Sequence, residues 1–145
     1  MYDQDIRNDG EMKKLFIQMA IDVLPNSYAP YSRYNVGAAA LFDSGKIYTG
    51  VNVESASLGC TICAERNAIF HGVAEGERKL LAVAIVGGTN GERTEYCVPC
   101  GVCRQVMRDF ADKDTMLVIS AKTPNDYIEN TLEELLPYSF GPESL

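Results

Sequence analysis

The chain has 145 residues, the length of one domain, and its 46% hydrophobic content is enough to build a core. Its 13 basic and 20 acidic residues give a formal net charge of -7, which disfavours a polynucleotide substrate because proteins that bind phosphates tightly are basic. No apolar run reaches the roughly 20 residues of a membrane-spanning helix. We therefore expect a small-molecule ligand, with no nucleic acid polymer and no membrane as partner.

The N-terminal residues are polar and mostly acidic, unlike a signal peptide, so we expect a cytoplasmic protein with reduced cysteines. We expect one domain over residues 1–145, of which residues 1–10 form a flexible N-terminal segment. The five cysteines are an odd number, which argues against a complete disulfide framework. Buried, metal-bound or catalytic thiols are more typical of such a chain.

The first predicted element is an amphipathic helix that ends at Pro25. Its apolar residues recur at three- and four-residue spacing and form one stripe: Met12, Leu15, Phe16, Met19, Ala20, Val23 and Leu24. A turn-rich stretch, residues 27–35, precedes two predicted strands, residues 36–42 and 46–53. The sequence Asp-Ser-Gly-Lys joins these strands, which predicts an antiparallel hairpin.

Helices and buried strands alternate in the second half of the chain. One helix is predicted over about residues 63–75. Another is predicted over residues 100–110, with these apolar residues on one side: Val102, Val106, Met107 and Phe110. The continuous apolar runs of residues 80–88 and 116–120 are typical of strands that are covered on both faces.

A capping box marks the last predicted helix. The Thr131 side chain can accept from the backbone of Glu134, whose carboxylate can reach back, and the short helix should stop before Pro137. A hairpin followed by helix, strand, helix and strand predicts a mixed sheet with helices on its faces, a single-domain α/β/α sandwich. Ligand sites in such sheets gather where strands end and helices begin, here near Cys63 and Cys100.

Three cysteines form a candidate zinc site. The C-x-x-C spacing at a helix start lets Cys100 and Cys103 direct both sulfurs at one ion, and Cys63 adds a third thiolate from the other helix. Three protein ligands leave the fourth tetrahedral position open, as in catalytic zinc sites. Glu65 follows Cys63 by two residues, so its carboxylate can face that position and move protons between water and substrate.

Two C-x-x-C frames overlap, from Cys97 to Cys100 and from Cys100 to Cys103, and spacing alone does not choose between them. Pro99 and the distant Cys-Ala-Glu segment favour the second frame, which leaves Cys97 and Cys60 as ordinary buried or half-buried thiols. A redox dithiol or a structural zinc-binding module with four ligands would also use a C-x-x-C pair. Neither of these needs a nearby carboxylate.

Arg66 and Arg104 directly follow the two ligand segments. We expect their guanidinium groups to offset the negative charge of the sulfurs as hydrogen-bond donors. The single histidine, His71, lies eight residues beyond Cys63 in the predicted helix. It is expected to be a packed or surface residue and not a ligand.

These segments resemble the cytidine deaminase family. The Cys-Ala-Glu of residues 63–65 and the Pro-Cys-Gly-Val-Cys of residues 99–103 match the paired motifs of zinc deaminases. Three further segments are similar to the small, homotetrameric three-cysteine type: YAPYSRYNVGAA (28–39), GVNVE (50–54) and LLPYSFGPE (135–143). The resemblance runs from about Met12 to the C-terminus. It implies the cytidine deaminase-like fold, one Zn2+ per subunit and a homotetramer whose pockets are shared between subunits.

The resemblance also implies a reaction: zinc-dependent hydrolytic deamination of cytidine and deoxycytidine to uridine and deoxyuridine plus ammonia, in pyrimidine salvage. In that reaction zinc-bound hydroxide attacks C4 of the cytosine ring and Glu65 shuttles protons. A deaminase of a modified cytosine nucleoside or of an antibiotic is the alternative within the same chemistry. A structural zinc-binding module is the alternative from another class.

Substrate-binding residues are carried over from the family position by position. Asn52 and Glu54 match a pair that hydrogen-bonds the ribose hydroxyls, and residues at alternate strand positions share one face. Ala64 matches the residue whose backbone amide holds the pyrimidine oxygen. Tyr34 matches a position, usually phenylalanine, that packs against the ligand. Phe140 matches an aromatic residue that reaches into a neighbouring subunit's site.

Leu58 departs from the family pattern. This segment often carries an aromatic residue that a neighbouring subunit contributes to the pocket. Leucine keeps an apolar contact there, but it offers no ring for stacking.

Overall fold

The computed structural model describes residues 5–145, so residues 1–4 of the expected flexible segment lie outside the described residues. The helices and strands follow in this order: α1 Gly10–Val23, β1 Tyr34–Phe42, β2 Ile47–Val51, α2 Ala64–Ala74, β3 Leu80–Thr89, α3 Gly101–Phe110, β4 Leu117–Thr123, β5 Asp126–Thr131 and α4 Leu132–Leu135. Before α1, Ile6 lies in a short 3-10 helix, Ile6–Asn8, and is buried. This residue anchors its part of the segment to the core.

The strands form one mixed sheet in the order β2-β1-β3-β4-β5. The hairpin predicted around the Asp-Ser-Gly-Lys turn is confirmed, since β1 and β2 pair antiparallel with Ala39 opposite Thr49. β3 and β4 pair parallel, and the chain that links them contains α3. A parallel pair needs such a crossover, because its second strand must start again at the same end of the sheet.

Helices cover both faces of the sheet, which confirms the predicted α/β/α sandwich. Alternate side chains of β1 enter two separate cores, as the two-residue period of a strand requires. On one face Ala39 and Leu41 pack with Phe16 of α1. On the other face Ala38, Ala40 and Phe42 pack with residues of α2 and α3, among them Ala68, Ile69 and Met107.

Two helices are turned slightly from the predicted orientation. In α1 the side chain of Ile17 is fully buried and that of Leu15 is exposed, so the core-facing stripe overlaps the predicted one but is rotated toward Ile17. In α3 Val102 is 57% exposed, although it was expected beside Met107, which is fully buried. Sequence periodicity fixes the spacing of a stripe, whereas the neighbouring strands decide which edge of it is covered.

The end of the chain differs from the prediction by one strand. β5 pairs antiparallel with β4 at the edge of the sheet, and most of its residues are exposed or half-buried. Its sequence, Asp-Tyr-Ile-Glu-Asn-Thr, has no buried apolar run that would mark it as a strand. The capping box at the start of α4 is confirmed, with both reciprocal bonds between Thr131 and Glu134 present. Among the described residues, no helix combines the length and the apolar character needed to cross a membrane.

Candidate active site and zinc centre

Two of the three candidate ligands begin helices. Cys63 is the N-cap of α2 and Cys100 is the N-cap of α3, and each has an extended backbone and a side chain that makes no capping hydrogen bond. The first N–H groups of a helix lack partners within the helix and favour negative charge nearby. The fold therefore places two sulfurs at helix ends that stabilise thiolates.

The three candidate ligands converge. The Sγ atoms of Cys63 and Cys100 lie 3.7 Å apart, those of Cys100 and Cys103 lie 3.5 Å apart, and all three lie within 4.8 Å of one another. A tetrahedral zinc ion with Zn–S bonds of about 2.3 Å holds its sulfurs about 3.8 Å apart. The cluster therefore has the right size for zinc. Among residues 5–145 no other group of three or more histidine, cysteine or acidic side chains converges in this way.

Of the two C-x-x-C frames, the one from Cys100 to Cys103 contributes both of its sulfurs to the cluster. Cys97 stays outside the cluster, and its Sγ accepts a hydrogen bond from Oη of Tyr34 at 3.7 Å. Cys97 is buried as expected, but Cys60 is exposed, contrary to expectation. Cys60 ends a short 3-10 helix, Leu58–Cys60, that has no buried residues. His71 is not part of the cluster and lies at the surface with its edge toward the Tyr48 ring.

Charge in the cluster is concentrated on Cys63. A hydrogen bond from Cys103, followed by bonds from Arg66 and Cys100, lowers the pKa of Cys63 to about 5. The same pairing raises the pKa of Cys103, because a thiolate already stands beside it. A divalent cation displaces the proton shared by these thiols, so metal binding at this cluster releases protons.

The two arginines that follow the ligand segments have different partners. Arg66 places Nη2 3.6 Å from Sγ of Cys63, and its buried Nε has no hydrogen-bond partner within residues 5–145. Arg104 instead donates Nε to the carbonyl of Pro99 at 2.8 Å and Nη1 to that of Leu135 at 2.7 Å. The contact expected between Arg104 and a sulfur is therefore replaced by a link between the loop before Cys100 and the end of α4.

Glu65 lies in the first turn of α2 and is 4% exposed. Burial raises the pKa of its carboxyl group to about 7, and the negative charge on Cys63 acts in the same direction. An acid with a pKa near neutral can both accept and donate a proton during turnover. The carboxyl group of Glu65 therefore lies beside the thiolate cluster with a pKa that suits proton exchange near neutral pH.

A pocket of about 230 Å³ opens over the cluster and contains most of the predicted site. Its walls are formed by Ser32, Tyr34, Val36, Asn52, Glu54, Thr61, Ile62, Cys63, Ala64, Glu65, Cys97, Val98 and Cys100. Phe140 does not line this pocket and is 58% exposed, and Leu58 is 81% exposed. The fold thus collects the pocket residues of one subunit and leaves these two apolar side chains facing outward.

The site is thus a cluster of three cysteine thiols beside a buried carboxyl group. A family model described as the cytidine and deoxycytidylate deaminase zinc-binding region matches residues 11–119. The chain belongs to this family. Zinc is accordingly the ion for its thiolate cluster, whose spacing fits zinc.

Relatives of the deaminase family match over nearly the whole chain. A cytidine deaminase of Halalkalibacterium halodurans is 40% identical over 92% of this chain and 97% of its own length. The crystal structure of cytidine deaminase from Burkholderia pseudomallei superposes with a TM-score of 0.78 at 38% identity, covering 87% of this chain and 97% of that one. The structure of the Mycobacterium tuberculosis cytidine deaminase gives a TM-score of 0.74 at 36% identity, over 88% and 95% of the two chains.

Asn52 and Glu54 lie just beyond β2 and are held by the loop before β1. Asn52 accepts at Oδ1 from Ser27 and from the backbone of Val36, and donates Nδ2 to the carbonyl of Tyr34 at 2.7 Å. Glu54 accepts at Oε1 from the backbone of Tyr31 and Ser32, and at Oε2 from the Ser32 hydroxyl. Each residue keeps free bonding capacity, a second amide hydrogen or further carboxylate lone pairs.

Ser32 lines the pocket although its sequence context predicts only a turn, and Cys97, expected to be an ordinary thiol, lines the pocket as well. Ser32 donates to Glu54 and accepts from the backbone of Tyr34, so it fixes the carboxylate and the turn together. The bond from the Ser32 hydroxyl is the main cause that lowers the pKa of Glu54. The pKa of Tyr34 is raised to about 12, first by burial and second by the hydrogen bond to Cys97. The Tyr34 hydroxyl group therefore stays neutral.

Proposed function

We propose that this chain is an enzyme that deaminates free cytosine nucleosides, converting cytidine and deoxycytidine to uridine and deoxyuridine with release of ammonia. The observation that carries the proposal is the placement of Glu65, buried beside three convergent sulfurs at the base of one pocket. The relatives that bear the name cytidine deaminase support the same substrate class. Pyrimidine salvage is the pathway role that this reaction serves.

The protein's own residues supply acid/base catalysis and a protected pocket. Zinc held by the three cysteines supplies Lewis acidity that makes a water molecule nucleophilic near neutral pH. Glu65 accepts a proton from the attacking water and delivers it to N3 of the ring. It then accepts the proton of the hydroxyl group added at C4 and delivers that proton to the departing amino group. A carboxyl pKa near 7 suits both halves of this cycle. Burial limits access of bulk water to the carboxyl group.

Orientation of the nucleoside comes from four groups that line the pocket. The backbone amide of Ala64 lies in the first turn of α2, where its N–H has no helical partner and is available to the pyrimidine oxygen. Asn52 and Glu54 supply an amide donor and a carboxylate acceptor for the sugar hydroxyls. Tyr34, which also lines the pocket, provides an aromatic wall for the base.

An ultraviolet assay on purified, zinc-loaded protein tests the proposal. We expect the cytosine absorption band of cytidine and deoxycytidine to decay into the uracil band, with one ammonia released per nucleoside. Chelation should abolish the change and added zinc should restore it. If the protein holds zinc and turns over neither nucleoside, the proposal is wrong, and a modified cytosine nucleoside or an antibiotic becomes the substrate to screen.

We further propose a homotetramer in which subunits complete one another's pockets. Leu58 and Phe140 match positions through which subunits of the resembled family meet, and both side chains are exposed and so available for such contacts. A cytoplasmic location is part of the same proposal. All five cysteines are free thiols, the state that a reducing compartment maintains.

A further inference from the structure

A buried arginine on α3 donates hydrogen bonds to the C-terminal tail, which we define as residues 137–145. The side chain of Arg108 is only 7% exposed. It donates Nε to the Ser139 hydroxyl at 2.7 Å and Nη2 to the carboxylate of Glu143. Charged side chains are rarely buried unless they are paired. Both partners of this arginine lie in the tail, so its buried position depends on the tail being docked.

The tail backbone packs directly against the guanidinium group. A Cβ added at the buried Gly141 would lie 2.4 Å from Cζ of Arg108, so any side chain there would displace one of the two groups. One helical turn earlier, Gln105 donates Nε2 to the carbonyl of Phe140 at 2.8 Å. Two side chains on one side of α3 therefore hold residues 139–143 of the tail by hydrogen bonds.

The aromatic side chains of the tail point away from their own subunit. Phe140 is mostly exposed although its carbonyl is fixed by Gln105, and Tyr138 is fully exposed. Tyr138 has a φ of 55°, in the left-handed region that costs a residue with a side chain roughly 1–2 kcal/mol. Neither ring lines the pocket of the same chain. Both rings are therefore available for a contact with another molecule.

We propose that Arg108 is a positioning residue that holds the tail so that Phe140 enters the active-site pocket of a second copy of this chain. The proposal rests on the function proposed above, since the pocket concerned is the nucleoside pocket. A tail that is already fixed in the free subunit loses less conformational freedom when it makes that contact. Arg108 touches no substrate and acts only through the tail.

Kinetics of two variants test this role. Arg108→Met removes the donors, and Gly141→Ala leaves them in place but drives the tail off the guanidinium group. Both variants should raise KM for cytidine on the order of tenfold with kcat nearly unchanged, the signature of lost ground-state binding. Gly10→Ala is the matched control, because a Cβ there meets nothing within 4 Å, and its kinetics should equal those of the wild type.

A merely structural role for Arg108 predicts a different pattern. Partial unfolding would lower kcat per mole of protein and leave KM unchanged. That result in both variants would overturn the proposal. Arg108→Lys separates charge from shape, since a lysine keeps the cation but cannot bond Ser139 and Glu143 as a planar fork. The Arg108→Lys variant should therefore also have a raised KM. A wild-type KM in this variant would contradict the proposed positioning role of Arg108.

Mixed oligomers decide whether the tail acts on another subunit. Arg108→Met leaves the pocket intact and impairs the tail, whereas Glu65→Gln inactivates the pocket and leaves the tail intact. Co-expressed chains should recover cytidine turnover at low substrate concentration beyond the sum of the separate variants. No recovery in oligomers shown to contain both chains would refute action in trans. Failure of the wild-type protein to deaminate cytidine would instead refute the proposed function itself.

Discussion

At the scale of single residues, Glu65 is the group whose role can be tested most sharply. Glu65→Gln keeps the size of the side chain and removes only its ability to exchange a proton. We expect zinc content and melting temperature to stay close to those of the wild type while turnover falls by roughly 10²–10⁴-fold or more. Metal analysis, thermal melts and the ultraviolet assay measure these quantities. A near-normal rate would remove Glu65 from the mechanism. Glu75→Gln, at the exposed end of the same helix, is the control.

Arg66 and Arg104 form a matched pair for a second prediction, because one contacts a sulfur and the other contacts backbone carbonyls. Arg66→Gln should lower zinc affinity or kcat by roughly 10–100-fold, as loss of a donor to a metal ligand commonly does. Arg104→Gln should mainly lower the free energy of unfolding. Zinc titration and urea unfolding of both variants distinguish these effects. Equal losses of activity and stability in Arg66→Gln would contradict the assignment.

At the scale of secondary-structure elements, the close approach of β2 to α2 sets the position of the helix that carries Glu65. A Cβ at Gly50 would lie 2.3 Å from the backbone nitrogen of Ala68. Gly50→Ala must therefore push the strand and the helix apart, which should cost about 1–3 kcal/mol of unfolding free energy. Urea unfolding measures the loss. Gly59→Ala is the control, since nothing lies within 4 Å of its added Cβ, and an equal loss there would refute the packing argument.

Elements with a buried apolar pattern were predictable, and one without such a pattern was not. The runs that became β3 and β4 are apolar because the sheet is covered on both faces there. β5 is an edge strand whose side chains are exposed or half-buried, and only its pairing with β4 identifies it as a strand. Pairing between strands leaves little trace in the sequence of a polar edge strand.

At the scale of the whole molecule, activity should depend on assembly. If subunits complete one another's pockets, dilution to the point of dissociation should lower the specific activity in parallel with the loss of the proposed tetramer. Sedimentation analysis and the ultraviolet assay over the same concentration range would measure both. A stable monomer with full activity would exclude shared pockets. Zinc content must be constant across the series, so that loss of metal is not mistaken for loss of subunit contacts.

The sequence by itself determined the chemistry of the site. Cys100 and Cys103 are three residues apart, close to one helical turn, and Glu65 follows Cys63 by two residues at the start of another helix. Side chains three apart lie on the same side of a helix, so local spacing accounts for the C-x-x-C pair, whereas the third ligand and the acid/base group were assigned from the paired motifs. The paired motifs then led to the family that the comparison with known proteins confirms.

The tertiary structure decided everything that depends on partners distant in the chain. It chose between the overlapping C-x-x-C frames by bringing Cys63 to Cys100 and leaving Cys97 to Tyr34. It linked Arg104 to a carbonyl 31 residues further along the chain, and it linked Arg108 to the tail. The physical reason is common to these cases: helical spacing constrains residues within a turn, whereas contacts between distant segments exist only after the sheet and its helices have packed.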